Sequence, residues 1–359
     1  MYAKENLILN YLKDNQQLFD IFVAKQEYCS KKDEHGRFLY RFSNYKDVLK
    51  PIVSEYLVNK GFYVEWPENY KFAACLTHDV DSLYPSWKYT LFTATKYALK
   101  LNPKKSLERL VAKIRNDNLK NPYWNFRKII ELEGKYKAKS SFYFKATSRD
   151  LVDWTYDVEN LRDELEYIID VGCEVGLHGS YYSYNDPKTL REEKIRLEKA
   201  LGKTVIGIRM HYLRFNVPDT WRLLADLGFK YDTTFGYPDM PGFRNGMCHP
   251  FKPYDLEEGR EVNILEIPLT IMDGSLFRMS FEEAWEKIKR LVDETEKNAG
   301  VITILWHNTT FDEIFWGDWS KLYTKILQLL KERKAWMTTA EDIYNYWVKE
   351  FKDNHKVSR

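Results

Sequence analysis

From Phe72 onward the chain repeats one order: a short apolar run, a polar or ionisable residue at its end, then a segment of helical length. The runs lie at 72–76, 140–144, 174–177, 205–208, 264–267 and 301–306. Apolar runs of strand length alternating with helical segments are the pattern of an α/β fold, in which helices bury both faces of a parallel sheet. The residues that follow the runs are Asp79 and Asp81, His178, Arg209 and His211, Asp232 after 229–231, and His307. In a (β/α) barrel the carboxyl ends of all strands face one side, so these side chains are expected to share a site there.

The helical segments carry their own signals. Residues 280–298 open with Ser280 and Glu283 at capping-box spacing. Residues 1–70 read as an α-rich cap, because Leu7, Ile8, Tyr11 and Leu12, and again Val48, Ile52, Val53 and Tyr56, recur at helical spacing. No chemistry is visible in that segment. Residues 71–350 form the barrel, interrupted at 84–122 by an excursion that reads as basic amphipathic helix. It carries Lys88, Lys96, Lys100, Lys104, Lys105, Arg109, Lys113, Arg115 and Lys120 among Tyr, Leu and Phe. A solvated surface helix is the ordinary reading of such a stretch; contact with a membrane surface or an anionic glycan is the other.

Composition excludes some classes. Lys plus Arg number 55 against 53 Asp plus Glu, a net charge of +2, so no overall field draws the chain to nucleic acid. Cys29, Cys75, Cys173 and Cys248 are scattered without C-x-x-C spacing, which fits reduced thiols rather than a disulfide framework. The first residues lack the basic-then-apolar order of a secretion signal, and no stretch has the length of a membrane span. A cytoplasmic location is expected.

In a strand continued through Thr77-His78-Asp79-Val80-Asp81, residues two apart point to one side, so Asp79 and Asp81 converge. Like charges that close need a cation or a shared proton. Three histidines, His178, His211 and His307, also fall just past predicted strands. Together these residues make the set of a divalent-metal site with an extra carboxylate and an extra imidazole for proton transfer. His35 and His355 lie in charged segments and His249 in a turn, and all three are expected to be solvated. Glycines at 172, 176 and 179 leave room beside the His178 strand for another backbone or a ligand.

Thr77-His-Asp-Val-Asp, His178-Gly-Ser, Arg209-Met-His-Tyr, Tyr231-Asp-Thr-Thr and Leu305-Trp-His resemble, in order, the five motifs of the polysaccharide deacetylase (NodB-homology) family. The resemblance covers roughly residues 70 to 345. Pro51-Ile-Val-Ser-Glu-Tyr, Gly242-Phe-Arg-Asn-Gly-Met-Cys and Met272-Asp-Gly-Ser-Leu further resemble a cytoplasmic branch associated with bacterial surface-polysaccharide clusters. The resemblance implies a distorted (β/α) barrel of about seven strands and a divalent metal, commonly zinc. It implies Asp79 as general base, Asp81 and His178 as metal ligands and Arg209 as the group that orients Asp79 by a hydrogen bond. Asp232 would hold His307, the general acid.

The chain departs from the family pattern at two places. The second histidine of the family, four residues after the first, is Tyr182 here, and the proline of its R-x-P-Y motif is His211. His211 is the expected third ligand, because a neutral imidazole binds a metal more readily than a phenol; Tyr182 is the alternative. Arg244 and Asp273 could also line the site, although a salt bridge or turn residue is the ordinary account of each. Tyr181, Tyr182, Trp306 and Trp316 would suit stacking on sugar rings, and large aromatics equally suit a core. The function expected is metal-dependent deacetylation of a carbohydrate at N- or O-acetyl groups. The alternatives are a non-catalytic glycan-binding or assembly protein on a degenerate barrel, and a metal-dependent hydrolase of another C–N bond.

Overall fold

Nine consecutive buried residues, Phe72–Val80, form the first strand, β1, of a computed structural model that describes residues 7–149, 151 and 153–353. An apolar run this long needs partners on both edges and cover on both faces, and it has them. The strands that follow are β2 (Ser141–Phe144), β3 (Glu174–Gly179), β4 (Gly207–Met210), β5 (Tyr231–Asp232), β6 (Tyr254–Asp255), β7 (Arg260–Glu261), β8 (Leu265–Glu266), β9 (Leu269–Met272), β10 (Val301–Leu305) and β11 (Ala335–Thr338). The main sheet is ordered β8-β5-β4-β3-β2-β1-β10-β9, with β11 also pairing β1, and every pairing in it is parallel. β1 meets β10 through residues 73–77, β11 through 72–75 and β2 through 77–80.

Only Ile267 and Pro268 separate β8 from β9, yet these strands end opposite edges of the order. So short a link reaches only about 10 Å, so the sheet curls until its two edges come close. The result is an open (β/α) barrel of eight strands with β11 added, in line with the distorted barrel of about seven that was expected. Because the strands are parallel, all their carboxyl ends emerge on one side.

Other expectations shift in detail. The strand expected at 205–208 runs two residues later, since Val205 and Ile206 precede the first pair of the ladder, Gly207 with Tyr231. Gly176 does lie in a close approach, but to a side chain: a Cβ there would stand 2.4 Å from the Tyr143 ring. The 84–122 excursion holds two α-helices, Trp87–Leu99 and Pro103–Arg115; Asn102 caps the second through Lys105 N, and Pro103 fits its first turn.

The N-terminal helices Leu7–Leu12, Gln16–Phe22 and Ile52–Asn59 bury Leu12, Phe22, Val53 and Leu57 in the same hydrophobic cluster as Val175 and Leu177 of β3. A buried ion pair between Glu27 and Arg244 ties that segment to the barrel, so Arg244 takes its ordinary role. His249 is fully buried, not solvated, with Nδ1 2.9 Å from Ser54 Oγ. His35 is half-buried, with Nδ1 2.9 Å from Tyr181 Oη. His355 lies outside the described residues. All four cysteines are unpaired. Among the described residues, no helix is long and apolar enough to cross a membrane.

Candidate active site

The two-residue period of β1 sorts its last side chains. Thr77 and Asp79 meet the guanidinium of Arg209 from β4: Nη2 donates to Thr77 Oγ1 at 2.9 Å, and Nε lies 3.8 Å from Asp79 Oδ1. His78 faces the other way, its ring nitrogens 2.8 Å from the Trp306 carbonyl and 2.9 Å from Glu133 Oε1. The expected hydrogen bond from Arg209 to Asp79 is absent. Arg209 Nε instead donates to Thr233 Oγ1 at 3.1 Å, so Arg209 acts on Asp79 through charge across 3.8 Å. Asp79 is 2 % exposed, and its Oδ1 has no hydrogen-bond partner among the described residues.

Asp81, just past β1, is met by two imidazoles. His178 of β3 has Nδ1 3.0 Å from the Arg209 carbonyl, which can only accept, so the proton sits on Nδ1 and Nε2 is free to act as an acceptor. That Nε2 lies 3.1 Å from Asp81 Oδ1. His211 has Nδ1 2.8 Å from Asp153 Oδ2 and Nε2 3.2 Å from the same Asp81 oxygen. Asp153 is in turn held by the Tyr181 backbone N–H at 2.8 Å and by Lys145. Three ligand atoms of Asp81, His178 and His211 lie within 4.8 Å of one another. Lone pairs of that kind face each other only if a proton or a cation lies between. At His211 a proton answers the need. Burial alone would lower the His211 pKa, but Asp81 and Asp153 outweigh it and raise it to about 9. Asp81 is held well below the usual carboxylate range: burial opposes this, and His211 and His178 overcome it.

The donor set also fits a divalent ion. Tetrahedral zinc with bonds of about 2.0–2.1 Å sets its ligand atoms roughly 3.3 Å apart, close to the 3.1 and 3.2 Å between Asp81 Oδ1 and the two imidazoles. A second partner on each Nδ1, a carbonyl for His178 and a carboxylate for His211, is the support that metal-binding histidines receive.

His211 reaches this position through a strained turn. Tyr212 and Leu213 follow it with φ of +61° and +54°, in the left-handed region that costs a bulky residue about 1 kcal/mol or more. Tyr182, by contrast, is 54 % exposed.

His307, just past β10, faces Asp81 from the other side, with Nε2 3.6 Å from Oδ2. Its Nδ1 lies 2.6 Å from Asp273 Oδ1, and its backbone N–H donates to Asp273 Oδ2 at 2.9 Å. Burial alone would lower the His307 pKa; Asp273 first, then Asp81 and Asp79, raise it to about 10. Asp232 does not hold His307. It is buried against Glu266 of β8, accepts from Thr234 Oγ1 at 2.5 Å, and has its pKa raised chiefly by burial. Asp273, ordinarily a turn residue, takes the place expected of Asp232.

A cleft of about 230 Å³ opens over these groups, lined by Asp79, Asp81, His211, Tyr212, His307 and Arg37, among others. Arg37 comes from the N-terminal segment, where no chemistry was legible; Asp33 grips it and its Nη1 donates to the Tyr212 carbonyl at 3.1 Å. Asp153 was missed as well, since it stands among other acidic residues in a loop with no motif around it. Trp306 is fully buried and belongs to the core.

No family model matches the chain, and no curated protein matches it in sequence. Solved structures share its fold. A Mycobacterium smegmatis protein assigned to the polysaccharide deacetylases is 16 % identical with a TM-score of 0.53, over 80 % of this chain and 93 % of its own. A Pseudomonas aeruginosa PAO1 protein with the same assignment is 14 % identical with a TM-score of 0.51, over 88 % and 98 %. The allantoinase Puue is 15 % identical with a TM-score of 0.50, over 87 % and 97 %. At such identities the likeness is one of fold.

Proposed function

We propose that this chain is a metal-dependent carbohydrate deacetylase that hydrolyses an N- or O-acetyl group on a glycan or glycan precursor. The observation that carries the reading is the convergence of Asp81, His178 and His211 beside a buried Asp79 whose Oδ1 accepts no hydrogen bond from the described residues, and opposite a carboxylate-backed His307. The five ordered motifs and the deacetylase assignment of two proteins that share the fold support it.

Asp81, His178 and His211 would hold the ion, most simply zinc. Such an ion acidifies water and polarises an acyl carbonyl. Asp79, whose Oδ1 has no hydrogen-bond partner among the described residues, takes the proton of the attacking water, and the charge of Arg209 at 3.8 Å steadies the carboxylate beforehand. His307 enters protonated. Asp273 keeps it so, and its Nε2 gives that proton to the departing amine or alcohol.

Metal analysis of the purified protein, with acetate release from a panel of acetylated sugars, tests the reading. About one divalent ion per chain and acetate from at least one sugar are expected; a protein that neither takes up an ion nor releases acetate would be a binding module on this barrel. The allantoinase likeness supports one other reading, hydrolysis of a different C–N bond, which cyclic amides added to the same panel would detect.

A further inference from the structure

One element leaves its apolar side chains in water. In the hairpin of helices Trp87–Leu99 and Pro103–Arg115, Leu91, Leu107 and Ile114 are exposed by more than half, and Leu99 and Leu101 at the tip by 77 % and 91 %. None of these five belongs to a hydrophobic cluster of the described residues. Leu101 holds φ at +56° in the turn, which presents it outward. Exposed aliphatic groups gathered on one element mark a contact surface, whereas scattered ones do not.

The charge around them narrows the occupant. Between Tyr84 and Pro122 stand seven Lys and two Arg against Glu108 and Asp117, a net of +7 in a chain whose total is +2. Lys96, Lys100, Lys104 and Lys105 flank the tip. A second copy of the same face would be repelled, and a hydroxyl-rich glycan gives aliphatic side chains nothing to bury against. Acyl chains beneath anionic headgroups satisfy both features together. We propose that this hairpin docks reversibly on an anionic lipid surface, with Leu99 and Leu101 entering below the headgroups and the lysines at their level.

The hairpin follows directly on Asp81. Its base is fixed to the segment after His307: Tyr89 Oη donates to Asp312, Arg109 Nη2 lies 3.0 Å from that carboxylate, and the Phe92 and Phe315 rings are 5.6 Å apart. A docked hairpin is therefore anchored through its base to the segment that follows His307. Docking is read independently of hydrolysis, so it stands or falls apart from the deacetylase assignment.

Co-sedimentation of the full chain with vesicles tests it, using phosphatidylcholine alone and phosphatidylcholine with about a quarter phosphatidylglycerol. Binding is expected only to the anionic vesicles, and it should weaken steeply with added salt. The double variant Leu99→Asp/Leu101→Asp and the triple variant Lys100→Glu/Lys104→Glu/Lys105→Glu should each reduce it at least about tenfold at unchanged melting temperature. All five positions are exposed, so the fold should survive. Absence of binding to anionic vesicles overturns the proposal. So does binding that falls in the lysine variant but is unchanged in the leucine variant, which would mark a site for a soluble polyanion such as an acidic glycan.

Discussion

The two sides of Asp81 are built alike, and the proposed mechanism gives them different work. On one side stands His211 and on the other His307. Each imidazole turns Nδ1 to a carboxylate, Asp153 at 2.8 Å and Asp273 at 2.6 Å, and each turns Nε2 to Asp81. They differ in the oxygen they address. His211 shares Asp81 Oδ1 with His178, at 3.2 and 3.1 Å, whereas His307 lies 3.6 Å from Oδ2 and outside the three-residue group. A carboxylate behind an imidazole therefore does not by itself decide between ligand and proton donor. In the proposed mechanism, what the Nε2 atom faces decides it.

The largest effects should come from the shared centre. Asp81→Asn is expected to lose metal and activity together, by about a thousandfold or more in kcat/KM. Asp79→Asn should abolish turnover at near-wild-type metal content. Metal content measured beside acetate release distinguishes them, and loss of the ion in both variants would merge two roles that the proposal separates.

Next come the imidazoles themselves. His211→Ala should empty the site of metal, whereas His307→Ala should keep the ion and slow turnover by about 10²–10⁴-fold. The loss at His307 should be far greater on an amide than on an activated phenyl ester, since an amine must be protonated to leave. Equal losses on the two substrates would place His307 among the ligands or in the scaffold.

Smaller effects belong to the carboxylates behind them. Asp153→Asn is expected to weaken metal affinity by about 10–100-fold, read by competition with a chelator. Asp273→Asn should leave affinity alone and move the basic limb of kcat to lower pH. The sign follows from the partner: Asp273 helps to raise the His307 pKa to about 10, so without it the proton needed by the leaving group is lost at lower pH. Metal loss in both variants would erase the distinction between the sides.

The smallest effect concerns a histidine with no carboxylate. His249 is fully buried beside Ser54, and burial lowers its pKa from 6.5 to about 4. A depressed histidine contributes stability that is present above 6.5 and lost as pH falls towards 4. At about pH 5.5 the loss should be roughly 1 kcal/mol in urea unfolding, and His249→Gln should lack that dependence. An unchanged profile would show that burial does not by itself govern this imidazole, and would weaken the contrast with His211 and His307.

Much of the site was legible because of what a parallel sheet does to chain ends. Asp79, Asp81, His178, His211 and His307 each follow an apolar run, and parallel strands bring all such ends to one side whatever their order. Asp153 and Arg37 were not legible, since neither follows a strand with a periodicity to mark it. The exposed leucines of the 84–122 hairpin were visible only as an amphipathic pattern; the same pattern fits a helix packed on the barrel, and only the fold left that face uncovered.

The sequence by itself determined the alternation of strand and helix, the side on which the ionisable residues emerge, and the ligand types available there, because these depend on periodicity along the chain. Only the tertiary structure decided which carboxylate backs which imidazole. β9 lies beside β10 in the sheet, so Asp273 meets His307, while β5, which carries Asp232, lies across β4, β3, β2 and β1 from it and meets β8 instead. Neighbours around a barrel are fixed by how its strands order and close, and nothing in local periodicity records that order.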